Sequence, residues 1–568
     1  MPLEQLSNEL KTLVSEYDAG WFLGDLSGMM KLIPQSRKVD QLSRLSSPLR
    51  QLYYLGGLVI STSKDGGNVN YHEPEVWEKV VDLLNRIEWE YARIFFPKEG
   101  EEPDDDWHRV REVAMPSFLD YFNQGPLNYE EQTINWIEAL YSSLDDTIER
   151  ETGLRTADFL KFYENVDRLM NENIAFIANE GKLRPNWRDY TRVTLLNEAP
   201  AALKFMVTEA MEASFHFTAD HGMSKRFYPK ELECEDMTAE KINRILGLFS
   251  CRRQERDFLY YTATRPGNPL LEFPIFDLED GLFQIFETKQ VLHAIEMLLE
   301  KVCSKNASDR DKIIDRKGSL LEKKIEETFT LLFGNSIKIF KSYYIDGCEQ
   351  DILIIWNDYA FIIEAKGYNL REPMRDPDKA FLRIKNDFKS CVGYGYDQCL
   401  RVERKFVNGI PLEIRDHRGN LIETIDTAAF EDNVFCIVVN LKTFGQVQTD
   451  LSTLLEVPQD SSYPWVVKLD DLETFFLTMK TKGKGPKSFI DFLHMRETLH
   501  EKLICSDELQ ICGGFIQGLL PQKSIDEAEK IVTKPDMADI FDDQYRKGMG
   551  FHNEKHWEEK KGGKHFFW

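Results

Sequence analysis

The sequence predicts a multidomain protein with a mostly α-helical N-terminal half, a C-terminal α/β domain and a helical C-terminal extension. Three observations support this prediction. The chain has 568 residues, too many for one compact core when a domain typically holds about 100 to 200 residues. Apolar residues recur every three or four positions in the first half, whereas the second half contains short runs of β-branched, aliphatic and aromatic residues. Hydrophobic residues make up 42% of the chain and charged residues 29%, a composition typical of globular proteins.

The negative charge is concentrated in the first half. The formal net charge is −25, and residues 1–300 carry 32 Lys and Arg against 52 Asp and Glu, which leaves 39 against 44 for residues 301–568. The two parts therefore contribute −20 and −5. This balance excludes a protein that coats nucleic acid with its whole surface, and only the C-terminal part is suited to approach a polyanion.

We expect a cytoplasmic protein without a membrane partner. The sequence contains no run of about 18 uncharged apolar residues, and its first 20 residues carry acidic side chains where a signal peptide has basic and apolar ones. The nine cysteines include no CxxC pair. They predict reduced core thiols rather than a disulfide framework or a zinc site.

Residues 1–303 are expected to form a mostly helical, acidic region for regulation or recognition, in one or two subdomains. Amphipathic helices are predicted over residues 76–94, 134–148 and 159–169, where apolar residues recur with helical spacing. Residues 270–287 predict a β-hairpin that turns at Asp280 and Gly281. A polar, charged run near residue 303 marks the boundary.

The order of elements changes to αβββαβ in residues 304–460, which predicts an α/β domain. The helix at the start of this order covers residues 319–333. The other elements are strands at 336–344, 351–356 and 359–364, a long helix at 379–402, and strands at 412–414 and 435–441. Residues 461–568 are expected to form a helical extension with a basic and aromatic tail.

The candidate chemistry lies on two of these strands, which a two-residue turn at Asn357 and Asp358 would join. If Trp356 pairs with Tyr359 across the turn, Asp351 falls opposite Glu364. Two carboxylates facing each other at the ends of apolar strands repel, so a cation should lie between them. A divalent cation such as Mg²⁺, which binds carboxylate oxygens and water, fits that requirement.

Five more residues support this site. Lys366 follows Glu364 by two positions, so both side chains lie on the same face of the strand. Glu322 lies at the edge of the buried face of the preceding helix, whose apolar stripe includes Gly318 and Leu321. The long helix after Lys366 would bring Lys385, Lys389 and Gln398 toward the same end of the sheet. The alternative is that Asp351 and Glu364 cap two strands, Lys366 forms an ordinary salt bridge, and the remaining residues are surface charges.

Taken together, these residues resemble the PD-(D/E)xK nuclease superfamily, which has the restriction-endonuclease-like fold of RecB-type nuclease domains. The match comprises the helix with Gly318 and Glu322, Asp351 in CEQDILII, Glu364 and Lys366 in FIIEAKG, and Gln398 in GYGYDQC. It covers residues 315–441. The position before Asp351 is Gln350, where the family pattern has proline.

The resemblance implies metal-dependent hydrolysis of phosphodiester bonds, most commonly in DNA. Asp351 and Glu364 would hold Mg²⁺ or Mn²⁺ with the Ala365 carbonyl, and Glu322 would bind it directly or through water. Lys366 would orient or help deprotonate the attacking water. Gln398, Lys389 and Lys385 would support the site or contact phosphate.

Three functions remain open from the sequence. The first is a nuclease whose acidic N-terminal half binds a protein partner or restrains activity, an architecture similar to that of bacterial antiviral defence effectors. The second is a binding or scaffolding protein with a catalytically silent nuclease-like core. The third is a hydrolase of small nucleotide phosphodiesters. The sequence does not determine DNA or RNA specificity, endonuclease or exonuclease action, or oligomeric state.

Overall fold

The structure is a computed structural model that describes residues 3–33, 39–63, 66–69, 74–123, 128–180, 184–192, 209–261, 266–367, 374–430 and 433–554. The described residues form two compact units. The first unit comprises those up to Phe96 and those from Phe122 to Arg310. The second comprises Pro97–Tyr121 and the described residues from Asp311 onward. The predicted basic and aromatic tail lies outside the described residues from position 555.

Helices occur throughout the described chain. In chain order they are α1 (Leu3–Ser15), α2 (Ala19–Met30), α3 (Asp40–Ser43), α4 (Pro48–Ile60), α5 (Pro74–Ala92), α6 (Asp105–Asn123), α7 (Glu130–Tyr141), α8 (Asp145–Thr152), α9 (Thr156–Glu180), α10 (Glu209–Ala219), α11 (Ala239–Phe249), α12 (Pro269–Glu272), α13 (Thr288–Cys303), α14 (Ala307–Phe333), α15 (Pro377–Phe388), α16 (Tyr394–Val407), α17 (Gln446–Thr449), α18 (Leu469–Thr481), α19 (Pro486–Glu497), α20 (Glu508–Gln517), α21 (Gln522–Glu527) and α22 (Asp539–Tyr545).

Strands are concentrated after residue 337. In chain order they are β1 (Arg226–Phe227), β2 (Ser250–Cys251), β3 (Ile275–Asp277), β4 (Phe283–Ile285), β5 (Lys338–Ile345), β6 (Cys348–Trp356), β7 (Tyr359–Lys366), β8 (Leu412–Arg415), β9 (Leu421–Ile425), β10 (Val434–Asn440), β11 (Trp465–Lys468), β12 (Leu503–Ile504) and β13 (Ile531–Val532).

The first unit is mostly helical, as predicted, but it also contains a small sheet. This sheet has the order β1-β4-β3-β2. Strands β3 and β4 are antiparallel and form the predicted hairpin. Glu279, Asp280 and Gly281 have positive φ angles of 71°, 52° and 76° in the turn. Strands β1 and β2 have only two residues each, too few to show the alternation from which strands are predicted.

The second unit is a mixed α/β structure around a seven-stranded sheet. The strand order is β11-β10-β7-β6-β5-β8-β9. Strand β10 is parallel to β7 and β11, and β5, β6 and β7 are antiparallel neighbours. The predicted helix, strands, helix and strand are present in the predicted order, and this part of the chain is α/β.

Three features of the second unit differ from the sequence prediction. The helix expected over residues 379–402 is divided into α15 and α16 by the π-helical segment Lys389–Gly393. Strand β9 was not predicted. Strand β11 also belongs to the central sheet, so the sheet continues past residue 460, where we expected the helical extension to begin.

Helices cover both faces of the central sheet. On one face, the Phe361 ring lies 6.0 Å from Phe329 of α14 and 5.8 Å from Phe489 of α19. On the other face, α16 approaches so closely that a Cβ on Gly395 would lie 3.2 Å from Val438. Because successive strand residues point to opposite faces, Glu364 and Lys366 lie on the α16 face, opposite Phe361.

None of the described helices is long and apolar enough to cross a membrane.

Candidate active site

The β6–β7 hairpin places Asp351 and Glu364 at the same end of the sheet. Trp356 pairs with Tyr359, and the ladder continues in that register to Ile352 and Ile363. This register is the predicted one, and the next step along the ladder is Asp351 and Glu364. Asn357 makes the tight turn possible with a φ of 53°, a left-handed conformation that asparagine tolerates better than most residues.

Lys366 links the two carboxylates. Its Nζ lies 2.7 Å from Glu364 Oε2 and 3.5 Å from Asp351 Oδ2. The backbone N–H of Ala365 donates to Asp351 Oδ2 at 2.7 Å. Since the N–H and C=O of one strand residue point to the same neighbouring strand, the Ala365 carbonyl also faces Asp351. The predicted cation between the carboxylates is therefore an ammonium group in this structure.

Glu364 occupies the least accessible position in this group. Its side chain is 0% exposed, compared with 22% for Asp351 and 13% for Lys366. Burial and then the negative charge of Asp351 raise the pKa of Glu364 to about 8, although Lys366 acts in the opposite direction. Burial alone would lower the pKa of Lys366, but the charges of Glu364 and Asp351 raise it. The two neighbouring carboxyl groups therefore keep Lys366 in its protonated, ammonium form.

Gln398 of α16 completes the contacts of Lys366. Its Oε1 accepts a hydrogen bond from Lys366 Nζ at 2.7 Å. The ring of Tyr394, one helical turn earlier, has its centroid 5.5 Å from the same nitrogen. Gly395 permits this approach, because a Cβ there would lie 3.0 Å from Lys366 Cε. Helix α16 therefore fixes the position of the ammonium.

Glu322 of α14 lies beside the pair without a direct bond to either member. Ser342 Oγ donates to Glu322 Oε2 at 3.3 Å. Ser342 lies between Lys341 and Tyr343, which pair with Ile352 and Gln350 on either side of Asp351. Burial and then the charge of Asp351 raise the pKa of Glu322. Glu326, one turn farther along α14, instead forms an ion pair with Lys341 at 2.5 Å. Of these two glutamates of α14, Glu322 is therefore the one that lies near Asp351.

Lys385 and Lys389 do not join these contacts. Both side chains are exposed. The ammonium of Lys385 lies over the Phe381 ring, 5.8 Å from its centroid. Lys389 belongs to the π-helical segment, which the sequence did not reveal. Their supporting roles stay predictions, as do the catalytic and metal-binding roles of the other residues.

The donor atoms present are those that Mg²⁺ prefers. Asp351, Glu364 and the Ala365 carbonyl would supply the oxygen ligands of such an ion, because Mg²⁺ commonly uses one or two carboxylates together with water. Within the described ranges, no group of three or more His, Cys, Asp and Glu side chains is arranged to hold a metal ion. The carboxyl groups of Asp351 and Glu364 have the oxygen atoms that Mg²⁺ would bind, and Glu322 of α14 lies close enough for the charge of Asp351 to raise its pKa.

Two aromatic residues near the site were missed by the sequence interpretation. Tyr394 precedes Gln398 by four positions, and this helical spacing could have revealed their shared face. Tyr343 is fully buried. Its hydroxyl has no hydrogen-bond partner among the described residues, and burial followed by the charge of Glu364 raises its pKa. No pattern in the sequence distinguishes Tyr343 from an ordinary core tyrosine.

Comparison of the chain with models of protein families, with curated proteins and with solved structures gave no match.

Proposed function

We propose that this protein is a metal-dependent nuclease of the restriction-endonuclease-like type that hydrolyses phosphodiester bonds, with DNA as the expected substrate. The observation that carries the proposal is the set of contacts at Lys366. Its ammonium bridges Asp351 and Glu364 and is held by Gln398. The same residues, in this order of elements, carry the resemblance to the PD-(D/E)xK superfamily.

Each residue of the candidate site would have a separate role in phosphodiester hydrolysis. Asp351 and Glu364 would hold Mg²⁺ or Mn²⁺ with the Ala365 carbonyl. When bound, the ion would polarise the phosphate and lower the pKa of water. The Lys366 ammonium would orient the attacking water and stabilise the negative charge that develops on the phosphate. Its raised pKa favours this electrostatic role over proton abstraction.

Gln398 would act as a positioning residue. An ammonium group has three N–H donors, and Asp351, Glu364 and Gln398 supply three acceptors. The amide of Gln398 accepts one of them without adding a charge. It therefore holds Lys366 in place and leaves the electrostatic balance between lysine and carboxylates unchanged.

The direct test is digestion of supercoiled plasmid, linear DNA and RNA by the full chain, with Mg²⁺ or with EDTA. We expect Mg²⁺-dependent cleavage that falls roughly a hundredfold or more in Lys366→Ala, the size of loss seen when a preorganised charge is removed. The matched control is Lys523→Ala, which changes an exposed lysine. Equal activity in Lys366→Ala and the wild type would overturn the proposal. Opening of the circular plasmid would identify an endonuclease.

A further inference from the structure

A groove opens on the second unit between α16 and the turn that joins β5 to β6. Its volume is about 470 Å³. The turn contributes Asp346, and α16 contributes Arg401, Arg404 and Lys405. Asp397, which directly precedes Gln398 in the first turn of α16, also lines the groove. The groove and the contacts of Lys366 therefore share one rigid helix.

Two of the cations in the groove are available for a ligand. Lys405 Nζ pairs with Asp346 Oδ2 at 2.7 Å. Arg401 and Arg404 have no carboxylate oxygen within 4.0 Å in the part of the chain that the structure describes. Free guanidinium groups are notable in a chain with a net charge of −25, because carboxylates are abundant. A planar guanidinium offers paired donors that match two oxygens of a phosphate group.

The groove lies close to the candidate active site along two independent routes. Measured along the axis of α16, Arg401 lies about 4.5 Å and Lys405 about 10 Å beyond Gln398, because an α-helix rises about 1.5 Å per residue. Along β6, Asp351 lies about 10 Å from Cys348, next to the turn that contains Asp346, at about 3.3 Å per residue. Both routes end at the contact between Lys405 and Asp346.

We propose that Arg401 and Arg404 bind the phosphate backbone of a nucleic-acid strand, one to three nucleotides from the bond at Asp351 and Glu364. The spacing follows from the rise of about 3.4 Å per nucleotide along each strand of DNA. This inference rests on the proposed function, because that function names nucleic acid as the ligand. The groove gives an acidic chain the local positive surface that a polyanion requires.

The test measures binding separately from cleavage. A fluorescein-labelled DNA duplex is titrated with the full chain carrying Lys366→Ala, in EDTA, over a series of salt concentrations. Adding Arg401→Ala and Arg404→Ala should weaken binding and reduce the slope of log affinity against log salt by about one per arginine. Arg546→Ala, directly after α22 at a residue paired with Asp543, is the matched control and should leave the slope unchanged.

A charge-conserving variant distinguishes the loss of a phosphate contact from misfolding. Arg401→Lys keeps the charge and should retain most of the salt slope, whereas Arg404→Glu should lower the affinity further than Arg404→Ala. Circular dichroism establishes that each variant is folded. Inorganic phosphate and thymidine monophosphate serve as competitors. If the groove binds a strand, unlabelled DNA should displace the labelled duplex at a far lower total concentration of phosphate groups than either small competitor.

The two proposals can fail separately. If the wild type cleaves DNA but the two alanine variants bind with an unchanged salt slope, the groove proposal is wrong and the nuclease proposal stands. If the chain does not cleave but its DNA binding depends on both arginines, the groove proposal stands alone. If thymidine monophosphate displaced the labelled DNA as effectively as unlabelled DNA does, a strand-binding groove would be ruled out and a small nucleotide ligand favoured.

Discussion

Lys366 holds together two carboxylates that would repel each other without it. One ammonium cannot neutralise two carboxylates, and the complete burial of Glu364 makes the remaining charge costly. Burial and the charge of Asp351 therefore disfavour the ionised form of Glu364 and raise its pKa to about 8. If Asp351 and Glu364 hold a divalent cation, its positive charge would favour the ionised form of Glu364 and lower its pKa.

The first prediction concerns Asp351→Asn. The change should abolish cleavage while stability stays the same or rises slightly, because it removes the like charge opposite Glu364. An asparagine oxygen can still accept the hydrogen bond that Ala365 N–H donates at 2.7 Å. Thermal melts of both proteins in EDTA and in Mg²⁺ measure the effect. Mg²⁺ should raise the melting temperature of the wild type only, by mass action on the folded state.

The control for this prediction is Asp358→Asn, at the other end of the same hairpin, where the aspartate is exposed. It should leave cleavage and the Mg²⁺ effect unchanged. If Asp351→Asn instead melts several degrees below the wild type in EDTA and Mg²⁺ stabilises neither protein, Asp351 has a structural role. Removal of one partner from a buried ion pair costs about 3 to 5 kcal/mol, which such melts resolve readily.

The second prediction concerns His500, which is buried beside Arg496. Its Nε2 lies 3.1 Å from Arg496 Nη1. Burial and then the charge of Arg496 lower the pKa of His500 to about 4, although Asp450 opposes them. Unfolding restores a pKa near 6.5, so the unfolded chain gains a proton first as the pH falls. His500 alone should therefore lower the free energy of unfolding by about 2 kcal/mol between about pH 7 and about pH 5.

Urea denaturation of the wild type and His500→Asn at the two pH values tests the second prediction. The variant, which lacks only the His500 imidazole, should lose this part of the pH dependence, whatever its absolute stability. His417→Asn, which removes an exposed histidine, should behave like the wild type. An equal pH dependence in His500→Asn and the wild type would show that the protonation of His500 is not coupled to unfolding.

At the scale of elements, α16 is the feature on which the site depends most. It supplies Gln398 and Tyr394 to Lys366, and Gly395 allows it to approach the sheet closely. Gly393, two residues earlier, has a more open environment, where a Cβ would meet only Lys389 at 3.7 Å. The two glycines therefore provide a matched pair for substitution.

The third prediction is that Gly395→Ala reduces cleavage by roughly tenfold or more, because a shift of the Lys366 side chain misaligns the site. The free energy of unfolding should change by no more than about 1 kcal/mol, since the better helix propensity of alanine offsets the crowding. Gly393→Ala should leave cleavage unchanged. Digestion assays with urea denaturation separate the two effects, and equal activity of the two variants would contradict the prediction.

The order of β5, β6, β7, β8 and β10 could be predicted from the sequence because each of these strands contains a short apolar run. The β6–β7 register followed from one two-residue turn, and it correctly placed Asp351 next to Glu364. Strand β9 was missed because it lies at an edge of the sheet with Leu421 and Ile422 exposed at 53% and 56%. The π-helical segment was missed because its sequence retains helical periodicity.

At the scale of the whole molecule, the sequence could not show that residues 97–121 belong with the C-terminal sheet. The prediction assigned them to the N-terminal helical region, whereas the structure groups them with the second unit. Asp120 of α6 accepts a hydrogen bond from Gln446 N–H at 2.9 Å, across 326 positions of the chain. Gly445 makes room for this contact with a φ of 60°. Amphipathic periodicity identifies a helix but not the surface that its apolar face covers.

The fourth prediction follows from that contact. Asp120→Ala leaves the N–H of Gln446, the first residue of α17, without its side-chain acceptor, a change that typically costs about 1 kcal/mol. Because Asp120 and Gln446 lie in the same unit, hydrogen exchange measured by mass spectrometry should accelerate in peptides from α6 and α17. Peptides from α11, in the first unit, should exchange as in the wild type. The control is Asp106→Ala, on the exposed start of α6, which should leave α17 unchanged. Faster exchange in α11 equal to that in α17 would mean that the change destabilises the whole chain, and would contradict a local role for this contact.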